Sequence, residues 1–250
     1  MRHWDWSETS QTAWLFTRGH GFVRGLAKGS RRPGSAYSGG IELLTCGHAA
    51  FIIKPATELA LITEWDLAET FPALRRSLSA HYGALYGAEV TQLMLQDHDA
   101  HPELFDALLD LLRGLQRDGS VDGALVRFQQ LLLRWCGFEM NLDSDARTGE
   151  VFGREVALAF VPHLGGFVAG RTDAVPASER WPVRGATLNV LRSFANGSAG
   201  LSSTDPADVD AVRRAGAMLA AYIRYLIGSE PKLLGLVYGR LVDRGTFRNA

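Results

Sequence analysis

Several residue groupings in this chain have the types and spacing to do chemistry. His98 and His101 stand three apart, flanked by Asp97 and Asp99. On one helical turn, two imidazoles at that spacing could share a metal ion. The Pro102-Glu103 that follows reads as a helix start, where histidines and acids serve as caps and solvated loop residues. Gly25-Leu26-Ala27-Lys28-Gly29-Ser30 has the look of a phosphate loop but lacks the adjacent Gly-Lys-Ser/Thr that a phosphate cradle needs. Asn196-Gly197-Ser198-Ala199-Gly200 has Asn196 where a nucleophile elbow would begin with glycine. Cys46 and Cys136, the only two cysteines, lie ninety positions apart and cannot form a zinc site alone. No pair of carboxylates stands out as an acid–base couple, so the chain is not expected to be an enzyme.

The basic residues are more informative. The formal net charge is −1 over 250 residues. Residues 1–40 hold six basic and two acidic side chains, a net of +4, whereas residues 41–134 hold seven and thirteen, a net of −6. The nearly neutral total therefore hides a basic amino-terminal segment beside an acidic middle, an asymmetry that fits a polyanion-binding face or a solvated arginine-rich loop. Arg18, Arg24, Lys28, Arg31 and Arg32 are the candidate phosphate contacts. Arginine forks match phosphate geometry and bind through salt-sensitive charge. Trp14, Phe16, Phe22 and Phe51 lie in apolar contexts that suit core packing better than base stacking. Further on, Arg127-Phe128 opens a second candidate site. A cation beside an apolar helix face suits a peptide that ends in a carboxylate after an aromatic residue. An exposed arginine covering helix surface with its stem is the alternative.

These residues must be positioned by two kinds of structure. Through residue 65 the pattern is β. Trp14-Leu15-Phe16 ends at a turn, Arg18-Gly19-His20-Gly21, and Phe22–Lys28 is the return strand. A basic loop rich in breakers follows at 29–35. Ile41–Cys46 and Ala49–Lys54 flank Gly47-His48, which predicts a hairpin, and Glu58–Trp65 is one more strand. Short strands with glycine turns suggest a small barrel or sandwich. After Trp65 the period becomes helical. One helix carries Phe71, Leu74, Leu78, Tyr82 and Leu85, and another opens at His101-Pro102. A third is expected to be capped by Asp122, with Leu125, Phe128, Leu132 and Trp135 buried. Residues 141–183 are irregular, with a candidate strand at Val156–Val161. Helices return at Ala186–Phe194 and after Asp205-Pro206, a cap followed by a first-position proline.

The predicted fold class is α+β: a small β-barrel over residues 1–66, then a helical domain over 67–250, with 141–183 as an irregular insertion. Apolar residues make up 46% and charged residues 21%, an ordinary globular balance. No run of about 18 apolar residues predicts a membrane span. Met1-Arg2-His3-Trp4-Asp5 has no leader-like apolar region, and two cysteines suit a reducing compartment, so a cytoplasmic location is expected.

As a whole the pattern resembles the bacterial recombination mediator family RecO, in order and over nearly the whole chain. The resemblance rests on Trp6-Ser7-Glu8-Thr9-Ser10 with Trp14-Leu15-Phe16-Thr17-Arg18 and Gly21, and on Ala27-Lys28-Gly29-Ser30-Arg31-Arg32, which is similar to the family's basic loop. Pro102-Glu103-Leu104-Phe105 carries it further, as do Arg127-Phe128-Gln129 with Leu131-Leu132 and Gly137-Phe138. It implies an OB-fold, a helical domain and, in many members, a zinc-bound finger inserted in that domain. The implied activity is non-catalytic: binding of single- and double-stranded DNA, annealing of complementary strands, and loading of RecA together with RecR on DNA coated by single-strand-binding protein. Implied partners are DNA, RecR and the acidic tail of the single-strand-binding protein, taken at Arg127 and Phe128. The implied location is the nucleoid. The alternative is a non-annealing adaptor built on the same scaffold.

This chain departs from the family twice. Where the finger has two Cys-x-x-Cys pairs, this sequence has Asp145 and Thr148, then Ala169 and Thr172, so a Cys₄ site is excluded and no metal or other cofactor is expected. The insertion must then hold itself by packing, with Phe152, Val156, Leu158, Phe160 and Phe167 as candidates. The resemblance also implies a shortened first strand, because family members have several residues before the segment that aligns with Arg2-His3-Trp4.

Overall fold

The structure is a computed structural model. It describes residues 2–7, 9–32, 34–38, 40–53, 59–117, 120–153, 157–169, 176, 179–197 and 205–239. The fold is mixed α and β and divides into two compact units, Met1–Arg117 and Asp118–Ala250.

In the first unit, strands β1 (Arg2–Ser7), β2 (Ser10–Thr17), β3 (Gly21–Ala27), β4 (Tyr37–Ser38), β5 (Thr45–Ile52) and β6 (Ala60–Thr70) precede helices α1 (Leu78–Met94) and α2 (Pro102–Gly114). The first three strands form an antiparallel meander. The long β6 is the spine of the sheet. It pairs parallel with β3 and β4 and antiparallel with β5. One face of the sheet buries Ala13, Leu15, Ala27, Tyr37, Ile41, Ile62 and Trp65 in one cluster. On the opposite face, Phe22 is buried, and Phe16 stacks on it at 4.7 Å and meets Phe105 of α2 at 6.0 Å. Side chains alternate along a strand, so a strand buried on both faces loses the clean polar–apolar alternation. β3 is such a strand, with Phe22, Val23 and Ala27 all buried.

Two expectations change here. Among the described residues no ladder joins β1 to β5, so the sheet is open where a barrel was expected. β1 pairs with β2 along its length, and β5 pairs with β6 along its own. The hairpin expected at Gly47-His48 does not exist: β5 runs straight through it, with its register shifting between Cys46 and Gly47. Gly47 marks a close approach instead of a turn. A Cβ there would lie 2.4 Å from the Asp66 carbonyl oxygen and 2.7 Å from the Trp65 ring.

The second unit holds α3 (Val121–Trp135), β7 (Leu158–Val161), β8 (Gly166–Ala169), β9 (Trp181–Val183), α4 (Gly185–Ala195), α5 (Pro206–Ile227) and α6 (Leu234–Tyr238). α3 and α4 pack on α5, and β7 is the centre of a three-stranded antiparallel sheet. Asp205 caps α5 as expected, its carboxylate accepting the Ala207 N–H at 2.9 Å. The cap of α3 is Ser120, whose hydroxyl accepts from Gly123 at 3.1 Å, while Asp122 lies within the first turn. Leu125, Phe128 and Leu132 are buried, but Trp135 at the end of the helix is 44% exposed. Gln129, fully buried, donates to the carbonyls of Leu125 and Gly216 and to the Tyr238 hydroxyl, tying α3 to α5 and α6.

Within the irregular segment, Phe160 and Phe167 are fully buried 5.3 Å apart, with Trp181 and Tyr222 against Phe160 at 5.5 and 4.9 Å. Leu158 and Phe152 are half-buried, and Val156 lies outside the described residues. Cys46 and Cys136 are free thiols, and burial pushes Cys136 up to about 11.

Candidate functional site

The five amino-terminal cations fall on one hairpin and the turn that leaves it. Gln11 pairs with Ala27 at one end of β2–β3, and Thr17 with Gly21 at the other. Lys28, Arg31 and Arg32 follow the first end, Arg18 is in the turn at the second, and Arg24 lies between. Six residue steps of strand separate the two ends by about 20 Å. The structure therefore brings three cations together in one turn and spaces the other two along a line.

Local bonds explain why that turn is a platform. Gly29 has φ +69°, which a glycine adopts without cost, and its N–H donates to the Ser10 hydroxyl at 3.2 Å. Ser30 is buried and its hydroxyl donates to the Gln11 amide oxygen, also buried, at 3.2 Å. The Arg31 N–H reaches the Thr9 carbonyl at 3.2 Å, and the Arg32 N–H closes on Gly29 at 3.0 Å. The backbone is pinned to the start of β2, and the Lys28, Arg31 and Arg32 side chains are exposed. Neither Lys28 nor Arg32 forms an ion pair with the described residues.

Arg18 and Arg24 already have carboxylate partners. Arg18 donates to Asp106 of α2 at 2.7 Å, and Arg24 to Asp97 at 2.9 Å. Both pairs are well exposed, and such pairs contribute roughly 0–1 kcal/mol. A phosphate could displace either carboxylate at little cost. Asp99 is engaged as well, with His101 at 3.0 Å. Of the aromatics expected in the core, Phe22 is buried, while Trp14, Phe16 and Phe51 are half-buried.

The second candidate lies on α3. Arg127 is exposed and Phe128, the next residue round the helix, is 2% exposed. A groove of about 200 Å³ opens at Arg127, walled by Leu131, Met140, Leu142 and Phe194, with Arg134 also on its rim. Arg134 reaches Glu139 at 3.8 Å and lies 6.0 Å from the ring of Trp135. Arg192 holds the wall by donating to the Leu142 carbonyl at 2.7 Å. Phe128 does not line this groove; it is buried in the packing of α3. Met140 and Phe194 are not marked by the sequence, because their approach to Arg127 depends on how α4 and the 138–142 turn fold back on α3, whereas Arg134 follows Arg127 by about two turns on α3 itself.

Comparison with known proteins sets these features in a family. The chain matches the model for the Recombination protein O amino terminus over residues 1–71 and that for its carboxyl terminus over residues 75–234. It is 31% identical over 210 residues to the DNA repair protein RecO of Rhodopirellula baltica, covering 84% of this chain and 78% of that one. It is 27% identical over 228 residues to the protein of that name in Anaeromyxobacter sp. strain K, covering 91% and 89% of the two chains. The Idiomarina loihiensis protein of the same name is 30% identical over 173 residues, 69% of this chain. With both halves of the family matched in order and relatives covered over most of their length, this chain belongs to the RecO family of DNA repair proteins.

Proposed function

We propose that this protein is a DNA repair and recombination mediator that binds single- and double-stranded DNA, anneals complementary strands, and helps RecR load RecA on DNA coated with single-strand-binding protein. In this reading, residues 1–66 are an opened OB-type sheet that carries the DNA face, and 67–250 carry the partner groove, with 141–183 inserted. The protein acts without a catalytic centre, in the cytoplasm at the nucleoid. The observation that carries the reading is the pinned turn presenting Lys28, Arg31 and Arg32, in line with Arg24 and Arg18. A rigid row of cations tracks a phosphate backbone without losing loop entropy on binding. The groove at Arg127 suits the tail of the single-strand-binding protein, the guanidinium taking a terminal carboxylate and the apolar walls an aromatic side chain.

A strand-annealing assay with Arg24, Lys28, Arg31 and Arg32 changed together to alanine tests the DNA face. Annealing should fall at least tenfold, and unchanged annealing would sink the assignment. The second reading, a non-annealing adaptor, draws on the ion pairs that already occupy Arg18 and Arg24. It predicts no binding of the wild-type protein to DNA even at low salt.

A further inference from the structure

The resemblance to the family implies a zinc ion held at positions 145, 148, 169 and 172 of this chain. The residues present do not fit it. A structural zinc site needs four ligands drawn from thiolates, imidazoles and carboxylates. Ala169 offers no donor atom, the Thr148 hydroxyl accepts the Glu150 N–H at 3.3 Å, and Thr172 lies outside the described residues. Among the described residues, no cluster of three or more histidines, cysteines and acids could hold a metal ion. Asp145 is the one good ligand type of the four, and its carboxylate is engaged elsewhere.

That engagement links the positions the metal would have joined. Asp145 is 4% exposed. Its Oδ1 accepts the N–H of Arg147 at 2.8 Å and of Thr148 at 3.2 Å, and its Oδ2 accepts the N–H of Ala169 at 2.7 Å. The Arg147 guanidinium stands 3.7 Å from Oδ1 and offsets the buried charge. The same turn is closed by the Gly149 N–H on the Asp145 carbonyl at 2.8 Å and docked on β8 by the Ala146 N–H on the Phe167 carbonyl at 2.8 Å. A carboxylate accepting several backbone N–H groups is a strong, charge-assisted hub. It bridges the first turn to the second strand, as a metal bound to both would.

We infer that Asp145 is a metal-free clasp: its carboxylate joins the turn Asp145–Gly149 to β8 in place of zinc, and this insertion folds without a metal ion. The insertion is then indifferent to chelators and to thiol oxidants, and depends instead on one buried carboxylate. The test uses the full-length chain, purified from zinc-supplemented cells. Elemental analysis should find well under one equivalent of zinc, and thermal unfolding should be the same with and without 1,10-phenanthroline. Asp145→Asn keeps the size of the side chain but removes the charge and turns one acceptor into a donor facing the Ala169 N–H. It should lower Tm by about 4–8 °C and speed amide exchange at Ala169 and Thr148 tenfold or more. Thr148→Ala keeps the backbone N–H that makes the bond and should leave exchange at Ala169 as in the wild type. One equivalent of bound zinc, a Tm that falls with chelator, or unchanged exchange in Asp145→Asn would each overturn the inference. If the Asn variant does not fold, zinc content and chelator response of the wild type still decide it.

Discussion

Arg24 and Trp14 are direct cross-strand partners on β2 and β3, and the Arg24 guanidinium lies 4.4 Å from the centre of the Trp14 ring. A cation–π contact of this kind contributes about 0.5–1 kcal/mol at an exposed site. The same guanidinium also donates to Asp97 at 2.9 Å. A half-buried tryptophan on the hairpin thus contacts a cation that also reaches an acceptor outside the sheet.

If phosphate replaces Asp97 there, removing the competing carboxylate favours DNA. Asp97→Asn and Asp106→Asn should each tighten single-stranded DNA binding a few-fold at low salt. Stability should change by no more than about 1 kcal/mol, since both pairs are exposed. Fluorescence anisotropy with labelled oligonucleotide reads the first and denaturant unfolding the second. Weaker DNA binding in either variant would place the DNA elsewhere.

The turn cations should be visible in the salt dependence. Each lost phosphate contact on a single strand reduces the slope of log K against log salt by about 0.7. Changing Lys28, Arg31 and Arg32 together to alanine should therefore flatten that slope by about 2. A slope equal to that of the wild type would show that these side chains face away from the strand.

Arg127 and Phe128 should separate cleanly. Arg127→Ala should weaken binding of a peptide ending in an aromatic residue and a free carboxylate about tenfold or more, leaving the melting temperature near that of the wild type. Phe128→Ala opens a cavity under α3 and should cost about 3–5 kcal/mol of stability. Isothermal titration with the free-acid and amidated peptides supplies the control. Equal affinity for the two peptides would mean that the groove does not read a terminal carboxylate.

Acid should act on the insertion through Asp145. Burial by itself would raise its pKa. The N–H groups of Ala169, Arg147 and Thr148 and the nearby Arg147 charge outweigh burial and hold the carboxyl below its ordinary value. A folded-state pKa depressed below the unfolded one gives stability that is present above the unfolded value of about 3.9 and is lost as pH falls through the folded one. Wild-type stability should therefore decline over that acid range more steeply than that of Asp145→Asn. Parallel pH–Tm curves for the two would contradict this origin.

Gly47 should resist even a methyl group. A Cβ added there would stand 2.4 Å from the Asp66 carbonyl oxygen, so Gly47→Ala must displace backbone or the buried Trp65 ring, at a cost of about 1–3 kcal/mol. Urea unfolding of the variant checks it, and a loss near zero would mean that β5 slides freely on β6.

Much of this molecule is legible in one dimension because the signals are local. The proline and acid of Asp205-Pro206-Ala207-Asp208 announce α5, the cap being a bond between residues two apart. The 3.6-residue recurrence of Leu125, Phe128 and Leu132 marks the buried side of α3 for the same reason. The uneven charge and the basic turn are also matters of order along the chain, as are the alanine and threonines standing where thiolates would be. What contacts decide between distant residues was not legible. Gly47 looks like a turn until Trp65 and Asp66 are placed against it. Trp135 continues an apolar stripe in sequence but ends 44% exposed, while Leu132 and Leu133 in the same last turn of α3 are buried. The clasp is the clearest case. Sequence establishes that position 145 is an aspartate and not a cysteine. Only the folded chain brings its carboxylate to the Ala169 N–H, 24 residues away, because hydrogen bonds form between neighbours in space.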